Sequence, residues 1–229
     1  MTPLSERKQS LLSAQKKAET LFREIENRRL IVPAKSEKTL NDEVYELAFE
    51  MYGIRKYWHK RIVRAGKNTL LPYKENPPDL IIQPDDILFF DFGPVFEDWE
   101  ADFGRTYVLG NDLQKKKLRG DIESAWHEGK KYYDAADESL TGAQFYHYIS
   151  SLAPKFGWEF GNIHCGHLIG NFPHERILGD EVHNYLHPDN HIKLSEKDIE
   201  GKPRDWILEI HFINKERTFG GFFEQLLSI

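Results

Sequence analysis

ILFFDFGPVFEDWEADFGRTYVL, residues 87–109, is an apolar run interrupted by one polar turn, with an aspartate on each side of it. Residues 87–93 (ILFFDFG) predict a strand, 94–98 the turn region, and 101–109 (ADFGRTYVL) the returning strand of a β-hairpin. If the register is symmetric about that turn, Asp91 and Asp102 are direct cross-strand neighbours with Cβ atoms roughly 5 Å apart, where like charges destabilise a pair. Either one acid holds a proton, or a cation sits between them and reverses the local charge logic.

The C-terminal end repeats the device. Residues 206–213 (WILEIHFI) and 222–227 (FFEQLL) predict two strands joined by 214–221 (NKERTFGG), with Glu209 and Glu224 symmetric about the loop. Period-two alternation puts Ile207, Glu209, His211 and Ile213 on one face and Trp206, Leu208, Ile210 and Phe212 on the other. An acid in so apolar a strand is uncommon, and here each hairpin carries a pair. Between them lies GNIHCGHLIGNFPHE, residues 161–175, with His164, His167 and His174 among glycines that permit close approach of backbone to a site. Carboxylate oxygens with a minority of imidazole nitrogen suit Mn, Fe, Co or Zn, and four acids suffice for two adjacent ions.

These segments, as an ordered set, resemble the superfamily of methionine aminopeptidase, aminopeptidase P, prolidase and creatinase, nearest its Xaa-Pro peptidase branch. The resemblance rests on FFDFG with Asp91, EADFGRTY with Asp102, GHLIGNFPHE with His167 and His174, LEI with Glu209, and FFEQLL with Glu224. It implies the pita-bread fold, an α/β (α+β) architecture in which helices flank a pseudo-two-fold, curved antiparallel sheet. It also implies two divalent metal ions, Asp91 chelating one, His167 and Glu209 binding the other, Asp102 and Glu224 bridging both. A bridging hydroxide would attack the scissile carbonyl, with Glu209 shuttling the proton and His174 contacting substrate and transition state; His164 and Tyr73 are further substrate-contact candidates. The expected partner is a peptide or a small amide.

Four features depart from the family pattern, one of them a short loop between Glu209 and Glu224. GKNTLLPY, residues 66–73, ends in Tyr73 where a substrate-contacting histidine is usual; Ile210 replaces a proline often found after the glutamate; and 178–204 is longer than usual. They leave two other readings open, a non-catalytic module that binds peptides or proteins, and a creatinase-like hydrolase of a small C–N bond.

Outside the hairpins, Leu11, Ala14, Ala18, Leu21 and Ile25 form one stripe of a helix over 3–29, and Leu40, Val44, Leu47 and Met51 one of a helix over 40–52. A short strand is expected at 61–65. Leu118, Ile122, Ala125 and Tyr132 stripe a third helix over 112–138, and Thr141 with Gln144 opens a fourth through a capping box. Helix, helix and hairpin thus occur twice, a loose duplication in which each half brings one acid pair. The expectation is a single catalytic domain, 1–229, with no additional N-terminal domain.

Composition narrows the alternatives. Hydrophobic residues at 40% and aromatics at 13% exclude a disordered chain. A net charge of −6 argues against nucleic acid as a partner. The chain lacks the roughly 18 consecutive apolar residues of a membrane span and a signal-peptide core, so no membrane partner and a cytoplasmic location are expected. Cys165, the single cysteine, excludes an intramolecular disulfide and reads as a small packing residue. Trp58, Tyr132 and Tyr133 mark either core or a contact patch, leaving a homodimer possible.

Overall fold

Residues with apolar side chains on both strand faces can satisfy them only by packing each face against something, and both hairpins are so built. The computed structural model describes residues 5–71, 73–173, 182–197 and 201–229. Strands β1 (Ile62–Ala65), β2 (Ile87–Phe92), β5 (Phe103–Val108), β6 (Glu159–Phe160), β8 (Asp205–Ile213) and β9 (Gly220–Leu226) form one antiparallel sheet in the order β1-β2-β5-β9-β8-β6, with β7 (Leu168–Ile169) paired to β8. The order is palindromic by role, running from edge strand to hairpin, then from hairpin to edge strand, as the duplicated sequence pattern implies.

Each half carries its own pair of helices on the same side of the sheet. Helix α1 (Glu6–Asn27) buries Leu11, Ala14, Ala18, Leu21, Phe22 and Ile25, and α2 (Glu37–Tyr52) buries Leu40, Val44 and Leu47. They pack with Leu88, Phe90 and Phe92 of β2. In the second half α3 (Leu113–Ala135), capped by Asp112, and α4 (Gly142–Phe156), opened by the expected Thr141–Gln144 capping box, pack with Trp206, Leu208, Ile210 and Phe212 of β8. The expected helix 3–29 is therefore 6–27, and 112–138 is 113–135. Tyr132 is not core: it stacks on Tyr148 at 3.8 Å and stays 37% exposed.

This packing aims the acids. Phe22 of α1 meets Phe90 at 5.9 Å and Phe92 at 6.0 Å between ring centroids, so the neighbours on either side of Asp91 are fixed toward the helices. Burying each such ring is worth about 1.5–3 kcal/mol, and strand alternation then forces Asp91 to the opposite face. Leu208 and Ile210, both fully buried, do the same for Glu209, with the Trp126 indole Nε1 of α3 donating to the Leu208 carbonyl at 2.9 Å.

The first hairpin corrects one expectation. Its connection folds into a small ribbon of β3 (Val95–Phe96) and β4 (Trp99–Glu100), turning at Glu97 and Asp98, both with positive φ. The pivot thus falls one residue later than a turn midway between Asp91 and Asp102, and the register moves by two. Asp91 faces Gly104 rather than Asp102. An even shift keeps Asp102 on the face of Asp91 as a diagonal neighbour. In the second hairpin the expected pairing, Glu209 opposite Glu224, is present.

Candidate metal centre

Following the register across the sheet gives one row on the face turned away from the helices: Ile62, Asp91, Gly104, Glu224 and Glu209. The next row is Arg64, Phe89, Thr106, Phe222 and His211, of which Phe89 and Phe222 lie 5.3 Å apart in a small cluster with Ile62. On the other side Ile207 and Leu226 pack with Leu11 and Ile169. The acid row is therefore walled by apolar side chains. Asp91, Asp102, Glu209 and Glu224 are all 8% exposed or less.

Gly104 is where the halves meet, its only sheet partner across the seam being Glu224. A Cβ there would lie 2.5 Å from the Phe222 ring and 3.0 Å from the Glu224 Cβ, so only glycine allows the close approach. Beyond it Thr106 replaces the ladder: its hydroxyl accepts from the Phe222 N–H at 2.7 Å and donates to the Phe222 carbonyl at 2.8 Å.

Imidazoles surround the carboxylates. His167 Nε2 lies 3.0 Å from Asp102 Oδ2 and 3.7 Å from Glu224 Oε1. On the other oxygen of Asp102, Oδ1, stands His59 Nε2 at 3.1 Å, itself 3.5 Å from Asp91 Oδ1. Glu209 Oε1 accepts from Asn162 Nδ2 at 2.8 Å and makes a close ion-pair contact, 2.9 Å, with His164 Nδ1. Among the described residues, then, the ion-pair contacts given for the four acids are to histidines, while the charges of Lys60 and Arg64 act on Asp91 without such a contact.

Among the described residues two sets of potential ligand atoms result, each within 4.8 Å of one another: His59, Asp91 and Asp102, and Asp102, His167 and Glu224. Asp102 belongs to both. Glu209 belongs to neither, although its backbone sits opposite Glu224. Tyr73 stands at the rim, 44% exposed and edge-on to His59 with ring centroids 5.6 Å apart. His174 lies outside the described residues.

The charge balance of so many buried acids is uneven. Burial, opposed by His59 and reinforced by Asp102 and Glu209, pushes Asp91 up to about 7. Burial acts the same way on Asp102, but His59 and His167 outweigh it and hold that carboxyl well below the usual range. Glu224 is raised well above its ordinary value by burial and by the Asp102 charge. For Glu209, burial is overcome by His164 and His167, leaving it lowered. Burial works against charge on His59, yet Asp102 and Asp91 carry it up to about 9; His167 is raised well above its ordinary value through Asp102 and Glu224.

A divalent cation fits this donor set. Glu37 shows how the chain settles a buried carboxylate with neutral donors, accepting from the Ala65 and Leu80 backbone N–H groups and from Asn68 Nδ2. Glu224 has no such provision: its Oε2 is buried and without a hydrogen-bond partner. An uncompensated buried anion is costly, and oxygen donors mixed with imidazole are what Zn, Mn, Fe and Co take.

His59 is the site residue that sequence reasoning missed. Its neighbours, Trp58 and Lys60, supply no ligand spacing, and Trp58, read as core or contact patch, in fact inserts its ring 5.1 Å from that of His167 and 4.4 Å from that of His59. His211, on the face of Glu209, is bound instead to the Thr69 carbonyl through Nε2 at 2.7 Å, and burial lowers its basicity. Cys165 is fully buried in the core, as expected. No helix among the described residues is long and apolar enough to cross a membrane.

Known proteins share this fold. The Xaa-Pro dipeptidase of Pyrococcus horikoshii is 25% identical over 146 residues, covering 63% of this chain and 40% of that protein. The X-Pro aminopeptidase of Thermotoga maritima MSB8 superposes over the whole chain and 62% of its own length with a TM-score of 0.77 at 19% identity. The methionine aminopeptidase of Rickettsia prowazekii does so over the whole chain and 96% of its own, with a TM-score of 0.72 at 16% identity. The chain thus spans less than half of the dipeptidase and nearly all of the methionine aminopeptidase, and the shared fold is the pseudo-two-fold pita-bread sheet. Residues 9–199 match metallopeptidase family M24, and to that family the chain belongs.

Proposed function

We propose that this chain is the catalytic unit of a metal-dependent peptidase that holds two divalent ions, Mn, Co, Fe or Zn, and cleaves short peptides near a free amino terminus, Xaa-Pro peptides first among them. Asp91 would hold one ion, His167 and Glu209 the other, with Asp102 and Glu224 shared between them. The single observation that carries this reading is Asp102, a buried carboxylate common to two imidazole-bearing ligand sets. Ions held there would supply Lewis acidity at the scissile carbonyl and a hydroxide nucleophile at neutral pH.

The protein's own groups do the remaining work. Glu209, kept ionised by His164 and His167 and with one oxygen already anchored by Asn162, is suited to take the proton of the attacking water and pass it to the leaving amine. Phe89, Phe222 and Ile62 exclude water beside it. Tyr73 at the rim and His164 beside Glu209 contact the substrate, and the role given to His174 rests on the GHLIGNFPHE motif alone.

Protein loaded in turn with each metal and given a short-peptide panel is expected to hydrolyse at least one member, with activity removed by chelator and restored by the ion. Inactivity in every combination overturns the proposal. Tyr73 favours one competing reading, a peptide-binding module without turnover, and peptide affinity without hydrolysis in the metal-loaded protein would establish it.

A further inference from the structure

The segment before β1 is laced to the turn of the first hairpin. Trp58 N–H donates to the Gly93 carbonyl at 2.9 Å, Val95 N–H to the Lys56 carbonyl at 3.0 Å, and the Trp58 indole to the Ala101 carbonyl at 3.1 Å. This fixes His59 over the acid row. Gly93 leaves it room, since a Cβ there would lie 2.3 Å from the His59 ring.

His59 and His167 are held in the same manner. His59 Nδ1 is 2.7 Å from its neighbour's carbonyl, Lys60 O, and His167 Nδ1 is 2.7 Å from its own neighbour's, Leu168 O. A carbonyl can only accept, so Nδ1 carries the hydrogen in both rings and each neutral ring turns the lone pair of Nε2 toward the carboxylates. A backbone acceptor at one ring nitrogen that aims the other is the arrangement by which proteins orient metal-binding histidines. Nε2 atoms at 3.1 Å and 3.0 Å from carboxylate oxygens need a positive charge between them, a proton in the metal-free protein and a metal ion when one displaces it.

We propose that His59 is a metal ligand, binding the ion chelated by Asp91, so that each of the two ions receives one imidazole and Asp102 joins them. This rests on the two-metal reading above and adds to it a ligand from outside both acid hairpins and the histidine segment. A nitrogen donor at the Asp91 position shifts that position toward Zn, Co and Fe and away from Mg and Mn.

The test uses the intact protein loaded with two equivalents of Co(II) and labelled with ring-15N histidine. Paramagnetic NMR is expected to show two hyperfine-shifted, solvent-exchangeable Nδ1–H resonances from ligated imidazoles, one of them absent in His59→Gln. Metal titration of the same variant is expected to weaken one of the two equivalents by at least about 10-fold while the other is kept. Two bound cobalt ions with a single shifted imidazole in the unsubstituted protein overturn the proposal, whether or not the variant folds, and leave the two-metal reading standing. Failure of the unsubstituted protein to take up cobalt overturns both.

Discussion

Asp102 and Glu209 differ in what their neighbours ask of them, and substitution separates the two. Both oxygens of Asp102 are engaged by imidazoles, so Asp102→Asn turns an amide NH2 toward one of them and removes the charge common to both ligand sets. Metal content of the purified variant is expected to fall from two equivalents to one or none. Glu209→Gln keeps an acceptor for Asn162 but takes a carboxylate from the second ion, so it is expected to need more metal for saturation and, once saturated, to show kcat about 10²–10⁴-fold lower, the range for loss of a general base; a variant at full activity with saturating metal removes Glu209 from the proton-transfer role. The histidines also give the metal-free protein a pH signature. His59 has a folded value of about 9 against an ordinary 6.5, so its proton stabilises the fold fully below about pH 6.5 and that contribution is lost as pH rises toward 9. Asp91, raised from 3.8 to about 7, loses its contribution between about pH 4 and 7, ahead of that climb. The thermal midpoint without metal is expected to fall from pH 6.5 to 9, checked by calorimetry with chelator, and a flat or rising profile contradicts the imidazole–carboxylate pairing. Metal binding must displace these protons, so its apparent affinity is expected to rise over the same interval.

Among the elements, the two hairpins show how far sequence pattern reaches. The loop after β8 is plain, a single connection over 214–219, so the ladder runs straight from Ile213 opposite Gly220 to Glu209 opposite Glu224. The first turn hides a ribbon, because the apolar Val95, Phe96 and Trp99 inside it extend the ladder, and the pairing of Asp91 moves from Asp102 to Gly104. Helix stripes were legible because burial imposes their period, with Leu11, Ala14, Ala18, Leu21 and Ile25 all buried. His59 was not, because a contact between the segment before β1 and a turn some 35 residues later leaves no periodic trace. That contact has its own test. In Gly93→Ala the new methyl meets the His59 ring and the Trp58 indole at 2.3 Å, and a packed contact so close costs about 1–3 kcal/mol and displaces the smaller obstacle. The variant is expected to keep its far-UV circular dichroism and lose metal affinity, measured by titration; unchanged affinity shows that His59 can move without consequence to the site.

On the scale of the molecule, the two halves each own a pair of helices and a hairpin, and they join along a narrow seam. Sheet pairing across it is confined to Gly104 and Glu224, supplemented by the Thr106 hydroxyl on Phe222. The acids lie along this seam, Asp91 and Asp102 from one half, Glu209 and Glu224 from the other, so like charge collects at the joint that most needs closing. Cations bound between them would convert that repulsion into a tie between the halves. Ligand that binds only the folded form stabilises by mass action, about 2.7 kcal/mol at one hundred times its dissociation constant. For a chain of this size each kcal/mol moves the midpoint by about 2–4 °C, so metal loading is expected to raise the midpoint by about 5–11 °C over the chelated protein. Hydrogen exchange should localise the gain, with slowed amides in β5 and β9 beside Gly104 and little change in α2 and α4, which lie behind the sheet. A midpoint indifferent to metal, or protection spread evenly over the helices, means the ions do not bridge the halves and the seam is held by the Thr106 and Arg105 hydrogen bonds to β9 and the packed aromatic rings.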